Sequence, residues 1–462
     1  MKPPEFHVRR RDFLKCCTAG SLGLYPALSL AARVHGAEVL PPRRTHFEPK
    51  AQNLIFVFLT GGMSHVDTFD YKPRLRTDHG RMVPSVDLRG NSRLPLMASP
   101  FRFQAHGQSG LYISDLFPHL ATVADELCVI RTLHTDIVEH FQAVLAMHTG
   151  SATVPMPSLG SWLSYGLGTR NPNLPAYMVL AEHLPYAGAQ VWDSNFLPPV
   201  HQGVRLLPGS RPIPNLDSPA RSVTLQELEQ LMLRDANELH ARLRPGDLNL
   251  RARMVSFDTA RGMMRQAPEV FDLSGETDAT LRLYGLNRGD NTSFAWQCLI
   301  ARRLIERGVR AIELIDTGAS NNWDAHSNVE EHRPKARRVD QPLAALIKDL
   351  KQRGLLDETL LACCTEFGRT PWTDAPGTRG RNHYARAFSS WLAGAGVRGG
   401  MAHGQTDEHG IHIIENPCHI HDLHATILHV FGIDHTRLTY RYAGRDFRLT
   451  DVAGNVQRAI LS

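Results

Sequence analysis

Short apolar segments recur along the chain, and each is followed by a polar loop and then by residues with a helical pattern. Segments of this length that are rich in branched and aromatic residues predict β-strands. Six of them are recognised, at 54–59, 127–130, 177–180, 311–315, 360–364 and 388–392. Helical patterns at 294–307 and 342–353 each end directly before a glycine, the expected helix stop. Strands that alternate with helices predict an α/β fold with a mostly parallel central sheet covered on both faces.

Residues 185–260 interrupt this alternation. Prolines and a Pro-Gly pair make the first part irregular, and a charged helix is predicted from about residue 225 to residue 243. We interpret the segment as an insertion that lies over the edge of the sheet or the mouth of a site. It is not predicted to be an independent domain.

The N-terminus carries an export signal. Paired arginines precede Phe-Leu-Lys at residues 9–15, and a weakly apolar stretch follows at 16–32. This pattern is typical of a twin-arginine signal peptide, and the apolar stretch is too short to span a bilayer. Residues 1–37 are therefore predicted to be a leader and 38–462 a single domain. The mature protein is expected in the periplasm or outside the cell.

The net charge of the chain falls once the leader is removed. Residues 1–37 carry a net charge of +4 out of the formal +5, so the mature chain is almost neutral. No basic stripe remains to bind a nucleic acid, and no later segment is long enough to cross a membrane. Five of the seven cysteines lie beyond the leader, mostly inside apolar runs, and are predicted to be buried side chains rather than disulfides or ligands.

Polar residues of one kind follow the predicted strands. The carboxyl ends of parallel strands meet at one edge of a sheet, where ligands bind. The residues found there are mainly carboxylates and imidazoles: His65, Asp67, His134, Asp136, His140, Asp316, Asp324, His326, Glu366, Arg369 and His383. Such groups bind hard or borderline divalent ions, and zinc, calcium, magnesium and manganese are not distinguished at this stage. The sequence therefore predicts a metal site.

Taken singly, each of these residues has a structural alternative. Asp324 and His326 are also compatible with a turn, and His383 with a hydrogen-bonded loop. Arg369 either offers a planar fork to an anionic substrate, as Arg381 also can, or pairs with a neighbouring carboxylate. His421 and His424 lie on a helix with an apolar face and are interpreted as structural or rim residues.

Several motifs resemble a known family, the exported bacterial proteins called domain of unknown function 1501. These proteins are relatives of the sulfatases within the alkaline-phosphatase-like superfamily. The matching segments are TGGMSHVDTFD (60–70), PSLGSW (157–162), APEVFDL (267–273), WDAH (323–326), TEFGRTP (365–371) and DLHATIL (422–428). The resemblance covers almost the whole chain and implies an alkaline-phosphatase/sulfatase-like three-layer α/β sandwich.

The same resemblance implies roles for single residues. Asp324 and His326 resemble the middle Asp and His ligands of the superfamily, His383 resembles its last histidine ligand, and Glu366 keeps the carboxylate of an Asp-His pair. Two features depart from sulfatases. Thr60-Gly61-Gly62 replaces an acidic metal-binding pair, and the nucleophile position falls on His140, with no Cys-x-Pro-x-Arg motif anywhere.

These observations predict an exported, metal-binding hydrolase-like protein that acts on a sulfate or phosphate ester. The favoured substrate is an ester of an extracellular glycan. Asp324, His326, His383 and Glu366 are the expected ligands, and His140 is expected as a base or nucleophile with Arg369 on the substrate. A possible second site on the opposite side comprises His65, Asp67 and His134. The rival hypotheses are a non-catalytic protein that binds an anionic glycan or a partner, and a hydrolase that uses only activated water. The oligomeric state is not predicted.

Overall fold

Strands and helices alternate along the chain. The computed structural model of the protein describes residues 44–84, 93–214, 216 and 222–462, with the side chains of residues 248 and 249 excepted. The strands are β1 (Asn53–Phe58), β2 (Met82–Pro84), β3 (Arg93–Pro95), β4 (Phe103–His106), β5 (Leu111–Ser114), β6 (Leu127–His134), β7 (Tyr177–Ala181), β8 (Val204–Leu206), β9 (Ala311–Ile315), β10 (Thr359–Cys364), β11 (Gly368–Arg369), β12 (His383–Tyr384), β13 (Phe388–Gly394), β14 (Met401–His403), β15 (Gln405–Thr406), β16 (Ile413–Glu415), β17 (Cys418–His419), β18 (Tyr440–Tyr442) and β19 (Arg445–Phe447). The helices are α1 (Arg74–Thr77), α2 (His140–Thr149), α3 (Leu159–Leu167), α4 (Val223–Arg242), α5 (Leu248–Phe271), α6 (Asp278–Tyr284), α7 (Phe294–Glu306), α8 (His332–Gln352) and α9 (Ile420–Val430).

The main sheet of the described residues has nine strands, and its order is β14-β6-β13-β10-β1-β9-β7-β8, with β17 also paired to β6. β1 lies in the middle and pairs in parallel with both β9 and β10. β13 is antiparallel to its neighbours β10 and β6, and the other pairings within the sheet are parallel. The prediction of a mostly parallel sheet is confirmed.

Side chains of β1 alternate between two hydrophobic cores, one on each face of the sheet. Ile55 and Val57 belong to one core, whereas Leu54, Phe56 and Phe58 belong to the other. Alternation arises because successive side chains of a strand point to opposite faces. The first core is closed by α7 and α8, and the second by α2, α3 and α9. The molecule is thus a three-layer α/β sandwich, as expected, and both faces of its sheet are covered.

All six apolar segments form strands of this sheet, and the helix predicted at 294–307 is α7. The helix predicted from Pro342 is wrong at its start, because α8 begins ten residues earlier at His332 and continues through the proline. Proline is common in the first turn of a helix, which suggested a boundary there. Burial of Ala336 and Val339 against the core extends the helix instead.

Residues 185–260 supply β8, which is an edge strand of the sheet, the helix α4 and the first part of α5, which continues to Phe271. The predicted charged helix is α4. The predicted leader, residues 1–37, lies outside the described residues, which belong to one compact unit, Leu40–Ser462. Cys128, Cys298, Cys363, Cys364 and Cys418 are free and buried, as expected. Among the described helices, none combines the length and the hydropathy needed to cross a membrane.

Candidate metal centre

Polar residues predicted to follow the strands do meet at one end of the sheet. Asp324 and His326 lie in the loop after β9, Glu366 follows β10, and His383 opens β12. His140 is the first residue of α2, the helix after β6. These segments leave the sheet at the edge where ligands bind in parallel α/β folds. We call the following residues the central cluster: His140, Asp324, His326, Glu366, Arg369 and His383.

Close packing against β1 positions the loop that carries Asp324. Trp323 is buried, its backbone N–H donates to Thr60 O at 2.9 Å, and its indole Nε1–H donates to Asp316 Oδ2 at 2.8 Å. Gly61 has a φ of +113°, and a Cβ there would lie 2.6 Å from Trp323 N and 2.7 Å from Asp324 N. Only glycine fits this approach. The loop therefore occupies the space that a side chain at position 61 would need.

Glu366 orients His140. The carboxylate is fully buried and accepts the Gly61 N–H at 2.8 Å and 3.0 Å through its two oxygens. His140 Nδ1 lies 2.8 Å from Glu366 Oε1. An ionised carboxylate only accepts, so Nδ1 carries a proton and Nε2 points away from Glu366.

His140 Nε2 faces Asp324. It lies 3.3 Å from Asp324 Oδ2, and this buried nitrogen has no well-aligned hydrogen bond among the described residues. Burial by itself lowers the pKa of His140, but the nearby carboxylates of Asp324 and Glu366 outweigh burial and raise it. The two carboxylates thus favour a positive charge between them. A proton on Nε2 supplies that charge, and so would a bound cation, which releases the proton on binding.

His383 is held in the tautomer that suits a metal ligand. Its Nδ1–H donates to Val138 O at 2.7 Å, which leaves the lone pair on Nε2. Nε2 lies 3.3 Å from Asp324 Oδ1 and 3.0 Å from His326 Nε2. Burial lowers the pKa of His383, and the charge of Arg369 lowers it further. A neutral imidazole with a free Nε2 is the form that binds metals.

Asp324 contacts four other residues of the central cluster. Its Oδ1 lies 2.8 Å from His326 Nε2 and 2.5 Å from Arg369 Nη2. Burial alone raises its pKa, but the neighbouring rings of His140, His326 and His383 and the charge of Arg369 lower the pKa of Asp324 far below its ordinary range. The carboxylate is therefore ionised, as a metal ligand must be.

One group of potential ligand atoms is found among the described residues. Atoms of His140, Asp324 and His383 all lie within 4.8 Å of one another. Two imidazoles and one carboxylate form the protein ligand set of several catalytic zinc sites, and imidazole favours zinc or iron over calcium and magnesium. The residues fit a borderline divalent metal ion.

The structure changes three of the expected roles. His140, expected opposite the ligands as a base or nucleophile, belongs to the ligand group. Glu366, expected as a ligand, has its oxygens occupied by Gly61 N–H and His140. Since hydrogen bonds from neighbours consume its lone pairs, it supports a ligand rather than being one. His326 contacts Asp324 and His383 but is not part of the close ligand group.

Arg369 does not face a substrate. The side chain is fully buried, and its guanidinium donates to Asp324 Oδ1, to Gly62 O at 2.8 Å, to Gly61 O and to Arg381 O at 3.3 Å. These acceptors use the N–H groups that a fork for an anionic substrate would need. Its alternative role, pairing with a neighbouring carboxylate, is the one observed.

Asp67 does not join the central cluster either. It forms a fully buried ion pair with Arg381, with Nε 2.6 Å from Oδ2 and Nη2 3.2 Å from Oδ1. Burial alone raises the pKa of Asp67, but the charge of Arg381 and its hydrogen bonds lower it. Arg381 is consequently unable to offer its own fork to an anion.

The other two residues of the possible second site also have different partners. His65 is fully buried, its Nε2 lies 3.0 Å from Gly410 O, and burial lowers its pKa. The ring of His134 packs against that of His419 with centroids 5.2 Å apart. Among the described residues, the structure does not bring His65, Asp67 and His134 together as a group of ligand atoms.

Sequence reasoning missed two contacts of the central cluster. The ring of Tyr186 stacks on His140 at 4.1 Å, and that of Phe367 lies 4.8 Å from it. Phe367 lies in a matched motif, next to Glu366, and its position was a usable signal. Tyr186 lies in the irregular insertion, where no periodicity or motif points to it.

Solved structures of alkaline-phosphatase and sulfatase type are similar to this chain at low identity. A protein of the alkaline phosphatase superfamily from Vibrio parahaemolyticus matches with a TM-score of 0.39 and 10% identity, over 86% of this chain and 70% of that chain. A sulfatase from Pseudoalteromonas sp. matches with a TM-score of 0.38 and 12% identity, over 89% and 72%. Alkaline phosphatase from the Antarctic bacterium TAB5 gives 0.31 and 10%, over 79% and 96%. Similarity at this level does not establish a shared activity.

Family membership is clear. No curated protein matches the sequence at a significant level. A family model described as protein of unknown function (DUF1501) matches residues 51–461, which include every strand and helix of the described structure. The chain therefore belongs to the DUF1501 family.

Proposed function

We propose that this protein is an exported, metal-dependent hydrolase of a sulfate or phosphate ester, with an extracellular glycan as the substrate. One observation carries the proposal. His140, Asp324 and His383 bring two imidazole nitrogens and a carboxylate within 4.8 Å of one another. Each imidazole has its Nδ1–H held by an oxygen, so both Nε2 atoms are prepared for a ligand.

His140, Asp324 and His383 would hold the metal, and the ligand set favours zinc or iron. A metal ion at such a site polarises an ester oxygen and lowers the pKa of a bound water. Glu366 and Val138 fix the two imidazole rings, while Arg369 fixes the carboxylate. His140, the residue at the expected nucleophile position, belongs to the ligand group, so the proposed nucleophile is water rather than a side chain.

His326 is the proposed proton carrier. His326 Nε2 lies 2.8 Å from Asp324 Oδ1, and since an ionised carboxylate only accepts, this nitrogen carries a proton. A third of the His326 side chain is exposed, more than for any other histidine of the central cluster. A group that is both hydrogen-bonded to the site and open to solvent is suited to deliver a proton to a leaving oxygen.

The substrate class rests on the resemblance of the motifs to the sulfatases. The site adds two supporting points. Arg369 and Arg381 are buried and already paired with carboxylates. An anionic group that binds here therefore needs another positive charge, which the metal would supply. Asp324 and His326 are partly open to solvent, and an extended molecule such as a glycan can therefore reach them.

A second candidate function is binding without catalysis. Arg369 already neutralises Asp324, and His140 can carry the remaining positive charge. The charges of such a cluster balance without a metal. In this case the protein would bind an anionic glycan or a partner without catalysis.

Metal analysis paired with turnover separates the two candidates. Purified protein is expected to hold about one zinc or iron per chain, since one ligand group is formed. It is expected to hydrolyse 4-nitrophenyl sulfate or 4-nitrophenyl phosphate. His383→Ala should lose both metal and turnover, because one of three ligands is removed.

His134→Ala is the matched control, since this histidine lies outside the central cluster, and it should keep both. Turnover that persists in metal-free His383→Ala would overturn the hydrolase proposal. A wild-type protein without metal or turnover that still binds an anionic glycan would support the binding protein.

A further inference from the structure

A cavity of about 260 Å³ opens on the surface beside the loop that follows β1. Its lining includes Tyr71, Arg76, Arg102 and Gln104. All four residues are exposed, so one part of a larger molecule can enter the cavity while the rest stays in solvent. The volume is slightly smaller than the roughly 300–1,000 Å³ of sites for drug-sized ligands, and it suits one ring-sized unit. We call it the Tyr71 cavity.

The ring of Tyr71 is held in place by two other aromatic rings. It stacks on Phe103 with centroids 4.9 Å apart and on Tyr112 with centroids 5.0 Å apart. Phe103 and Tyr112 belong to the paired strands β4 and β5, which fix their positions. Tyr71 nevertheless remains 37% exposed. The face of an aromatic ring is electronegative and attracts C–H groups, which a sugar ring presents on its own faces.

Arg76 and Arg102 bring uncompensated positive charge to the same cavity. Within the described parts of the chain, neither side chain forms a hydrogen bond or an ion pair. Lys72 also lines the cavity, but it pairs with Asp70 at 3.0 Å. A guanidinium group binds carboxylate and phosphate through two parallel hydrogen bonds, and a sulfate offers oxygens in the same arrangement as a phosphate. The amide of Gln104 can both donate to and accept from hydroxyl groups.

Other anionic partners fit the Tyr71 cavity less well. Binding to anionic lipids uses clusters of about four to eight lysines or arginines, whereas two unpaired arginines line this cavity. A single strand of nucleic acid needs a positively charged groove along its backbone and several aromatic rings for successive bases. One ring beside two guanidinium groups matches a single sugar unit that carries an anionic group.

The loop that follows β1 contacts both the central cluster and the Tyr71 cavity. The carbonyl oxygens of Gly61 and Gly62 accept from Arg369, whereas Val66 and Tyr71 line the cavity. Val66 is four residues from Gly62, so their Cα atoms are at most about 14 Å apart. The wall of the cavity therefore lies within reach of a glycan a few sugar units long that occupies the metal centre.

We propose that the Tyr71 cavity binds one sugar unit that carries a sulfate or a carboxylate group. The sugar ring packs on Tyr71, and the anionic group binds to Arg76 and Arg102. The choice of a glycan rests on the proposed function, for which the cavity is a second binding site on the same substrate. No residue of the central cluster lines the cavity, so its binding can be measured separately from metal content and turnover.

Fluorescence polarisation with labelled hexasaccharides and the mature chain tests the cavity. A sulfated galactan hexasaccharide and a polygalacturonate hexasaccharide distinguish the two anionic groups, and uncharged maltohexaose is the reference. At least one anionic hexasaccharide is expected to bind at least about 10-fold more tightly than maltohexaose. Arg76→Gln/Arg102→Gln should lower that affinity at least about 10-fold, since charge-assisted hydrogen bonds are removed. Tyr71→Leu should lower it several-fold, because leucine offers no ring face.

Arg74→Gln/Arg81→Gln is the matched control. Both arginines are exposed, neither lines the cavity, and the variant removes the same charge close by in the sequence. It should keep the wild-type affinity. Three results would overturn the proposal: anionic hexasaccharides that bind no more tightly than maltohexaose, an unchanged affinity in Arg76→Gln/Arg102→Gln, or an equal loss in the control, which would show long-range attraction only.

The result can be told apart from that of the proposed function. Binding that depends on Arg76 and Arg102, in a protein without metal or turnover, would support the cavity and contradict the hydrolase. Turnover of 4-nitrophenyl sulfate by a protein that binds neither anionic hexasaccharide would support the hydrolase and overturn the proposal for the cavity.

Discussion

Glu366 shows how a buried carboxylate serves a site without binding the ligand. Its side chain is fully buried, and its two oxygens receive the backbone N–H of Gly61 and the ring of His140. The pair couples the end of β10 to the start of α2. The hydrogen bond to Glu366 fixes which nitrogen of His140 carries the proton, while Tyr186 stacks on the ring.

Glu366→Gln is expected to lower metal affinity about 10- to 100-fold, the range found for partners of metal-binding histidines. A glutamine amide is neutral, and it places an N–H donor where one carboxylate oxygen stood, facing either the Gly61 N–H or the His140 Nδ1–H. Two donors repel each other there, so the ring of His140 is held less firmly. Metal affinity is measured by competition with a chelator. Glu182→Gln, at an exposed position, is the control, and equal affinities in the two variants would contradict this role.

At the residue scale, the sequence predicted which side chains meet but not how each is used. Whether a residue follows a strand can be read from the sequence, and this position predicted that Asp324, His326 and His383 would lie close together. The direction of the Arg369 side chain depends on the carbonyl oxygens of Gly61 and Gly62, which lie in the loop after β1, about 300 residues earlier in the chain. No local pattern encodes such a partner.

Two helices are joined through histidine side chains. His424 Nε2 of α9 lies 2.7 Å from Met147 O, and His421 Nε2 lies 2.9 Å from Gly150 O, at the end of α2. The last carbonyls of a helix have no partner within it, and these imidazoles donate to them. The interpretation of both histidines as structural or rim residues agrees with these contacts. The apolar face of α9 indicated burial, while the partners on α2 were not predictable from α9 alone.

His424 makes stability depend on pH. Burial and the nearby charge of His421 lower the pKa of His424 to about 3 from an ordinary value of 6.5. Between these values the unfolded chain binds a proton that the folded protein does not, so stability falls as pH decreases from 6.5 towards 3. The slope for one such group is at most about 1.4 kcal/mol per pH unit.

His424→Gln should flatten this dependence, because glutamine keeps a donor for Met147 O and does not titrate. Urea unfolding at pH 7, 6, 5 and 4.5 measures the effect. His183→Gln, at an exposed position, serves as the comparison and should keep the wild-type slope. Identical slopes for all three proteins would refute the assignment to His424.

For the molecule as a whole, the proposed location depends on the leader. Arg9→Lys/Arg10→Lys should leave the precursor in the cytoplasm, since the paired arginines are the recognised feature of this export signal. Fractionation followed by immunoblotting measures the distribution. Arg33→Lys, outside the pair, should be exported normally, and normal export of the double variant would remove the proposal of twin-arginine export.

The interleaved strand order has a consequence for how this chain is made. β6, β1 and β7 come from the first half of the chain, and they are separated in the sheet by β13, β10 and β9 from the second half. While the ribosome is still synthesising the second half, neither β9 nor β10 is available to pair with β1, and the apolar residues of β1 remain exposed to solvent. Pairings of such long sequence separation form slowly and expose a nascent protein to aggregation. The chain is therefore expected to need chaperones for longer during its synthesis. The proposed export route, which transports folded proteins, would suit it better than a route that transports unfolded chains.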